Sequence, residues 1–143
     1  MTSIEIDLYE PSNHDSVVDL WKLCFPDDPP WNEPAEMIRR KTAQNDDLFW
    51  VAAVDGRVVG TILAGYDGVR GWIYHLATHP DFRRLGLATA LMNQAETRLR
   101  ELGCPKINLQ VRKSNTEVVA FYKAYGFRED QTLSFGMRLE EGE

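Results

Sequence analysis

Apolar and polar residues alternate over residues 4–8, with Ile4, Ile6 and Leu8 on one side. A period of two predicts a short half-buried strand. Val17, Leu20, Trp21 and Cys24 follow at helical spacing, behind Ser12 and Asn13, either of which can cap the first turn. Pro26, Pro29 and Pro30 then exclude regular helix or sheet from the segment 25–32. A second short helix is predicted over 33–43. Residues 48–54 and 57–66 read as strands joined by Asp55-Gly56, a pair suited to a two-residue hairpin turn because both central residues take positive φ. Asp67-Gly68 opens the next connection, 72–78 is a fourth strand, and Pro80 ends it.

The clearest helix has Leu87, Leu91, Ala95 and Leu99 at every fourth position, with Asn93, Gln94, Arg98 and Glu101 opposite. Gly103 and Pro105 stop it. Ile107, Leu109 and Val111 alternate as a strand over 107–111. Asn115 precedes a helix carrying Val118, Phe121, Tyr122 and Tyr125, closed by Gly126. A last pair of strands is predicted over 127–130 and 133–139. The order is β-α-α-β-β-β-α-β-α-β-β. Its strand–helix–strand crossover, from Trp72 to Val111, makes those two strands parallel and right-handed.

Composition narrows the class. The chain has 143 residues, 43% apolar and 27% charged, which suits one soluble globular domain over 1–143. No apolar run approaches a membrane span, and residues 1–10 lack the apolar core of a secretory signal. Cys24 and Cys104 are too few for a disulfide framework and suit a reducing, cytoplasmic setting. The net charge is −6, yet residues 83–113 hold seven basic and two acidic groups. An acidic chain with a basic middle argues against nucleic acid and fits a small anionic ligand. Ordinary solvated faces would give the same pattern.

Arg83, Arg84, Leu85, Gly86, Leu87 and Ala88 connect the strand 72–78 to the long helix. Backbone N–H groups without intrahelical partners, the helix dipole and two guanidinium groups make this a cradle for a pyrophosphate. It lacks the Lys-Ser/Thr of a P-loop and the three-glycine dinucleotide fingerprint, which disfavours a nucleotide-binding protein. A helix start that needs a small residue for packing is the other reading. Asn115 lies seven residues before Tyr122, so both share one helical face. A phenol there is either a proton donor or a core side chain.

Together these segments resemble the GCN5-related N-acetyltransferase family. Arg83, Gly86 and Ala88 match its acyl-CoA motif, Arg/Gln-x-x-Gly-x-Gly/Ala. Asn115, Tyr122 and Gly126-Phe127 match a later motif, and the resemblance runs from about Leu48 to Leu139. It implies a mixed α/β (α+β) fold: a mostly antiparallel sheet of six to seven strands, about four helices and a parallel, splayed central pair. It also implies acetyl-CoA as co-substrate and no metal.

By the same resemblance, Leu76 and Thr78 offer backbone hydrogen bonds to the pantetheine arm. Arg83, Arg84, Leu85, Gly86, Leu87, Ala88 and Thr89 surround the pyrophosphate. Asn115 holds the pantetheine, and Tyr122 protonates the departing thiolate. In motif style the chain is nearest to the ribosomal-protein alanine acetyltransferases, where a Glu in the fifth strand serves as base. Here that position is Gln110, which accepts no proton at neutral pH. His75 is a replacement by virtue of its pKa range, or else a structural histidine. The acceptor loop of the family corresponds to 25–32, with Asp27, Asp28, Trp31 and Asn32; Tyr66 and Asp67 are expected at the same mouth. Acidic and aromatic groups suit a cationic amine, small molecule or peptide. Trp31 can equally plug the surface under the Pro-rich turn. The expected protein is a monomer or homodimer acting as an acetyl-CoA-dependent N-acetyltransferase; an acyl-CoA-binding regulatory module without turnover is the alternative.

Overall fold

The computed structural model describes residues 3–140. Its elements are β1 (Ile4–Leu8), α1 (His14–Cys24), α2 (Pro34–Ala43), β2 (Phe49–Val54), β3 (Arg57–Tyr66), β4 (Gly71–Thr78), α3 (Leu87–Glu101), β5 (Ile107–Asn108) and α4 (Thr116–Tyr125). They fall into two compact units, one ending at Gln110 and one starting at Val111. The ends of the expected 1–143 domain, residues 1–2 and 141–143, lie outside the described residues.

In the first unit the five strands stand side by side in chain order, β1-β2-β3-β4-β5. The first three pairs are antiparallel and β4 runs parallel to β5. The parallel pair follows from the α3 crossover, as the sequence predicts. Asp55 and Gly56 both have positive φ, +50° and +81°, in the predicted hairpin turn.

Alternation along the strands gives each helix layer its own face of the sheet. Phe49, Val51, Leu63 and Ala77 join Val17, Leu20 and Trp21 of α1 and Ile38 of α2 in one core cluster. On the other face an added Cβ at Gly60 would stand 3.0 Å from Leu91 of α3. The helical repeat of α3 is buried as its pattern requires, with Leu87, Leu91, Ala95 and Leu99 all at 2% exposure or less.

Two expectations are corrected. The sheet has five strands among the described residues, not six to seven. The strand expected over 107–111 spans only Ile107–Asn108, and residues 127–140 form no strand. Apolar alternation is necessary for a half-buried strand but does not supply the neighbouring backbone edge that holds one. Without that ladder, Leu133, Phe135, Met137 and Leu139 remain more than four-fifths exposed.

In the second unit α4 starts after Asn115 and ends at Gly126, as predicted. Tyr122 packs its ring against Phe121 and Phe127, with centroids 5.2 and 5.5 Å away.

Candidate active site

The fourth strand, β4, is irregular where the chemistry is expected. Thr61 pairs with Ala77, but Leu63 pairs with Tyr74, so one extra residue sits in β4 between them. This is a β-bulge. His75 occupies it with φ +46°, a left-handed conformation uncommon outside glycine. A hydrogen-bonded relay holds the bulge. The indole N–H of Trp21 donates to Oγ1 of Thr61 at 2.8 Å, and the Thr61 hydroxyl donates to the His75 carbonyl at 3.1 Å. Thr61 is fully buried, so this relay satisfies a hydroxyl that would otherwise be costly there.

The His75 ring lies between aromatic side chains. Its centroid is 4.7 Å from Trp21 and 4.6 Å from Phe25. Nε2 stands 3.3 Å from Oδ2 of Asp28, in the loop after α1. Burial pushes the His75 pKa below its ordinary value, and the Asp28 carboxylate partly opposes that shift. Sequence reasoning picked both residues but not their pairing.

Past the bulge, the His79 N–H donates to the Val59 carbonyl at 2.8 Å, and Ala77 pairs with Thr61. Alternation therefore turns the backbone groups of Thr78 toward the other edge. The thiol of Cys24 donates to the Thr78 carbonyl at 3.4 Å, a contact the sequence gives no sign of. Burial raises the Cys24 pKa, partly countered by Arg83. On that edge β4 pairs with β5 only at Gly71 and Trp72; residues 73–78 have no strand beside them there among the described residues.

A short 3₁₀ turn, Pro80–Phe82, leads to the cradle. His79 caps it, its Nδ1 accepting the Asp81 N–H at 3.1 Å. The Arg57 guanidinium lies 5.2 Å over the Phe82 ring and 3.2 Å from His79 Nε2. Arg84 and Gly86 both take positive φ, +69° and +80°. The first α3 bond runs from the Ala90 N–H to the Gly86 carbonyl at 2.9 Å. The N–H groups of Leu87, Ala88 and Thr89 come before it, and Gly86 gives no side-chain cap. Arg83, Arg84, Leu85 and Gly86 are exposed, and an added Cβ at Gly86 would meet nothing within 4 Å. Open N–H donors, a helix N-terminus and two exposed arginines fit the diphosphate of acetyl-CoA.

The family's profile, that of the acetyltransferase (GNAT) family, matches residues 14–127. The chain belongs to the GNAT acetyltransferase family. It is an acetyl-CoA-dependent N-acetyltransferase. Solved structures agree on the fold of this acetyltransferase. The aminoglycoside N-acetyltransferase AAC(6')-Iy in complex with CoA superposes with a TM-score of 0.78 at 19% identity, over 97% of either chain. Ard1 from Thermoplasma volcanium gives 0.75 at 28% identity, over 87% of this chain and 82% of that one. The ribosomal-protein-S18-alanine N-acetyltransferase from Escherichia coli gives 0.73 at 22% identity, over 90% and 80%.

The remaining predicted residues divide. In the Pro-rich loop after α1, Trp31 is 39% exposed and its carbonyl accepts from Arg40 at 3.1 Å. The Asn32 N–H donates to the Pro29 carbonyl at 2.9 Å, closing a turn. Tyr66 and Asp67 have other engagements. Asp67 accepts from the Val69 and Arg70 N–H groups at 2.7 and 2.8 Å and builds its own turn. The Tyr66 hydroxyl donates to the Gly103 carbonyl, after α3, at 3.4 Å. Gln110 is exposed. In the second unit, Asn115 is exposed at the start of α4, while Tyr122 is buried at 8% exposure. Burial pushes the Tyr122 phenol up to about 12. A cavity of about 810 Å³ opens between Leu8, Ile38, Lys41, Asp47 and Arg98, and none of the predicted site residues lines it. Among the described residues no group of three or more His, Cys, Asp and Glu stands ready for a metal.

Proposed function

We propose that this acetyltransferase moves an acetyl group from acetyl-CoA to a primary amine, on a small molecule or a peptide, by direct attack of the amine. The observation that carries the reading is the open edge of β4 leading into the Arg84–Gly86 cradle, both on one strand–turn–helix passage. The cradle holds the diphosphate through backbone N–H groups and Arg83 and Arg84. Leu76 and Thr78 run along the pantetheine arm. The Leu76 N–H, next to the bulge, polarises the thioester carbonyl and meets the negative charge that develops there. Fixing both reactants in line removes much of the entropic barrier.

Asn115 holds the arm from the start of α4, and Tyr122 donates the proton that the leaving thiolate takes. A phenol with a pKa near 12 is fully protonated in the working range, as a general acid must be. Asp27 and Asp28 with Trp31 favour a cationic acceptor. Two free thiols, Cys24 and Cys104, suit the cytoplasm.

A panel of amines tests the reading: polyamines, aminoglycosides and peptides with free N-termini, each with acetyl-CoA and a thiol reagent. Amine-dependent thiol release is the expected result. Acetyl-CoA binding with no release for any amine would replace the enzyme by an acyl-CoA-binding module.

A further inference from the structure

The acceptor amine must lose a proton as it attacks, and Gln110 has no group to take it. The chain has three histidines. His14 lies on the surface beside Asp15, and His79 is committed to the Pro80–Phe82 turn and Arg57. His75 alone is enclosed, with its side chain at 13% exposure, and faces a carboxylate that is itself at 24%.

Trp21 and Phe25, from α1 and its end, present uncharged faces. Thr61, from β3, holds the His75 carbonyl rather than the ring. Asp28, from the loop, brings the charge. With Asp28 at Nε2, neutral His75 carries its proton there and leaves the Nδ1 lone pair as acceptor.

We propose that Asp28 is a positioning residue for His75, fixing the tautomer in which Nδ1 takes the proton lost by the acceptor amine. The inference rests on the acetyltransferase reading above. In the step, the amine nitrogen forms the bond to the acetyl carbon, and its N–H proton passes to Nδ1. The carbon–sulfur bond breaks, and sulfur takes a proton from Tyr122. His75 then releases its proton to solvent, and Tyr122 regains one. The products are the amide and free CoA. Asp28 stabilises the imidazolium without being protonated itself, as an orienting carboxylate does in hydrolase triads. The same 3.3 Å contact ties the acceptor loop to the bulge, so one pair of side chains sets both the loop and the base.

The test compares Asp28→Asn and Asp28→Glu with the parent. Asp28→Asn keeps the size and removes the charge. Because the carboxylate raises the His75 pKa, its loss should move the His75 ring titration to lower pH, read by NMR on the protein alone. The acidic limb of kcat/KM should move the same way. The rate constant kcat should fall at least about tenfold, within the range of general base catalysis, while KM for acetyl-CoA stays unchanged. Asp28→Glu should restore part of kcat, and it also serves if the amide variant folds poorly. An unmoved ring titration in Asp28→Asn overturns the pairing. A shifted titration with unchanged kcat and acidic limb overturns the positioning role and leaves only a structural contact. A parent that transfers to no amine overturns the acetyltransferase reading, and the proton-accepting role with it, while the ring titration still reports on the pairing.

Discussion

Trp21 and Thr61, forty residues apart, share a buried hydrogen bond of 2.8 Å, and Thr61 passes it on to the carbonyl of His75. The helix layer is thereby wired to the irregular turn of β4. Thr61→Val keeps the shape and leaves the indole N–H and the carbonyl without partners. Each buried orphan costs about 1–3 kcal/mol. Urea denaturation should show a loss of about 2 kcal/mol or more. Adding Trp21→Phe should cost less in that background than in the parent, because the orphaned donor is gone. Full additivity of the two would show that the relay carries no energy.

Gly86→Glu places bulk and negative charge among the α3 N–H groups, at a φ of +80°. Acetyl-CoA at 100 times its Kd stabilises the parent by about 2.7 kcal/mol. The expected outcome is loss of this ligand-induced rise in Tm. Gly86→Ala, equally strained but neutral, should retain part of it. Comparing the rise rather than Tm itself separates binding from backbone strain. An unreduced rise in Gly86→Glu would move the diphosphate elsewhere.

Tyr122→Phe keeps the ring that packs on Phe121 and Phe127 and removes the proton donor. General acid catalysis is worth about 10²–10⁴-fold, so kcat should fall by that range with acetyl-CoA affinity little changed. A phenol raised to about 12 also predicts that kcat/KM shows no falling limb from Tyr122 below about pH 11. A kcat within twofold of the parent would remove the role.

His75 is held below its ordinary pKa by burial. As pH falls through about 6.5, the unfolded chain binds the proton before the folded one does. Stability should therefore drop with falling pH from about 6.5 down to the folded-state value, and should not respond to His75 above it. His75→Gln should flatten that part of the curve, measured by denaturation between pH 4 and 8. An identical slope in the variant would assign the acid sensitivity to other groups.

Much of this arrangement is visible in the chain before folding. The four-residue repeat of Leu87 to Leu99 fixes which face of α3 is buried, because a helix offers one face per repeat. Asp55-Gly56 and Gly126 mark turns through backbone conformations that few residues adopt. The turn into α3 is legible because its arginines and glycine are local, all within seven residues of Arg83. The failures are non-local. Leu133 to Leu139 alternate as a strand does, yet whether they become one depends on an edge supplied from elsewhere. The Tyr66 hydroxyl's partner, Gly103, is likewise set by the hairpin and by α3 rather than by neighbours in sequence. Asp28 and His75 meet only because α1 ends where β4 bulges, which no local pattern records.

The strands of the sheet stand in the order in which the ribosome makes them. β2, β3 and β4 are joined by tight turns, so each can close on the one before with little loop entropy. β1 differs: its partner β2 is separated from it by both N-terminal helices. The first strand of the sheet is therefore expected to be among the last to dock. Pulse-labelled hydrogen exchange during refolding should show amides of β2 to β4 protected before those of Ile4 to Leu8, with the opposite order refuting it. A chain of this plan assembles its catalytic bulge from contiguous hairpins and adds its outer edge afterwards, so a late or damaged β1 leaves a sheet margin open to other chains.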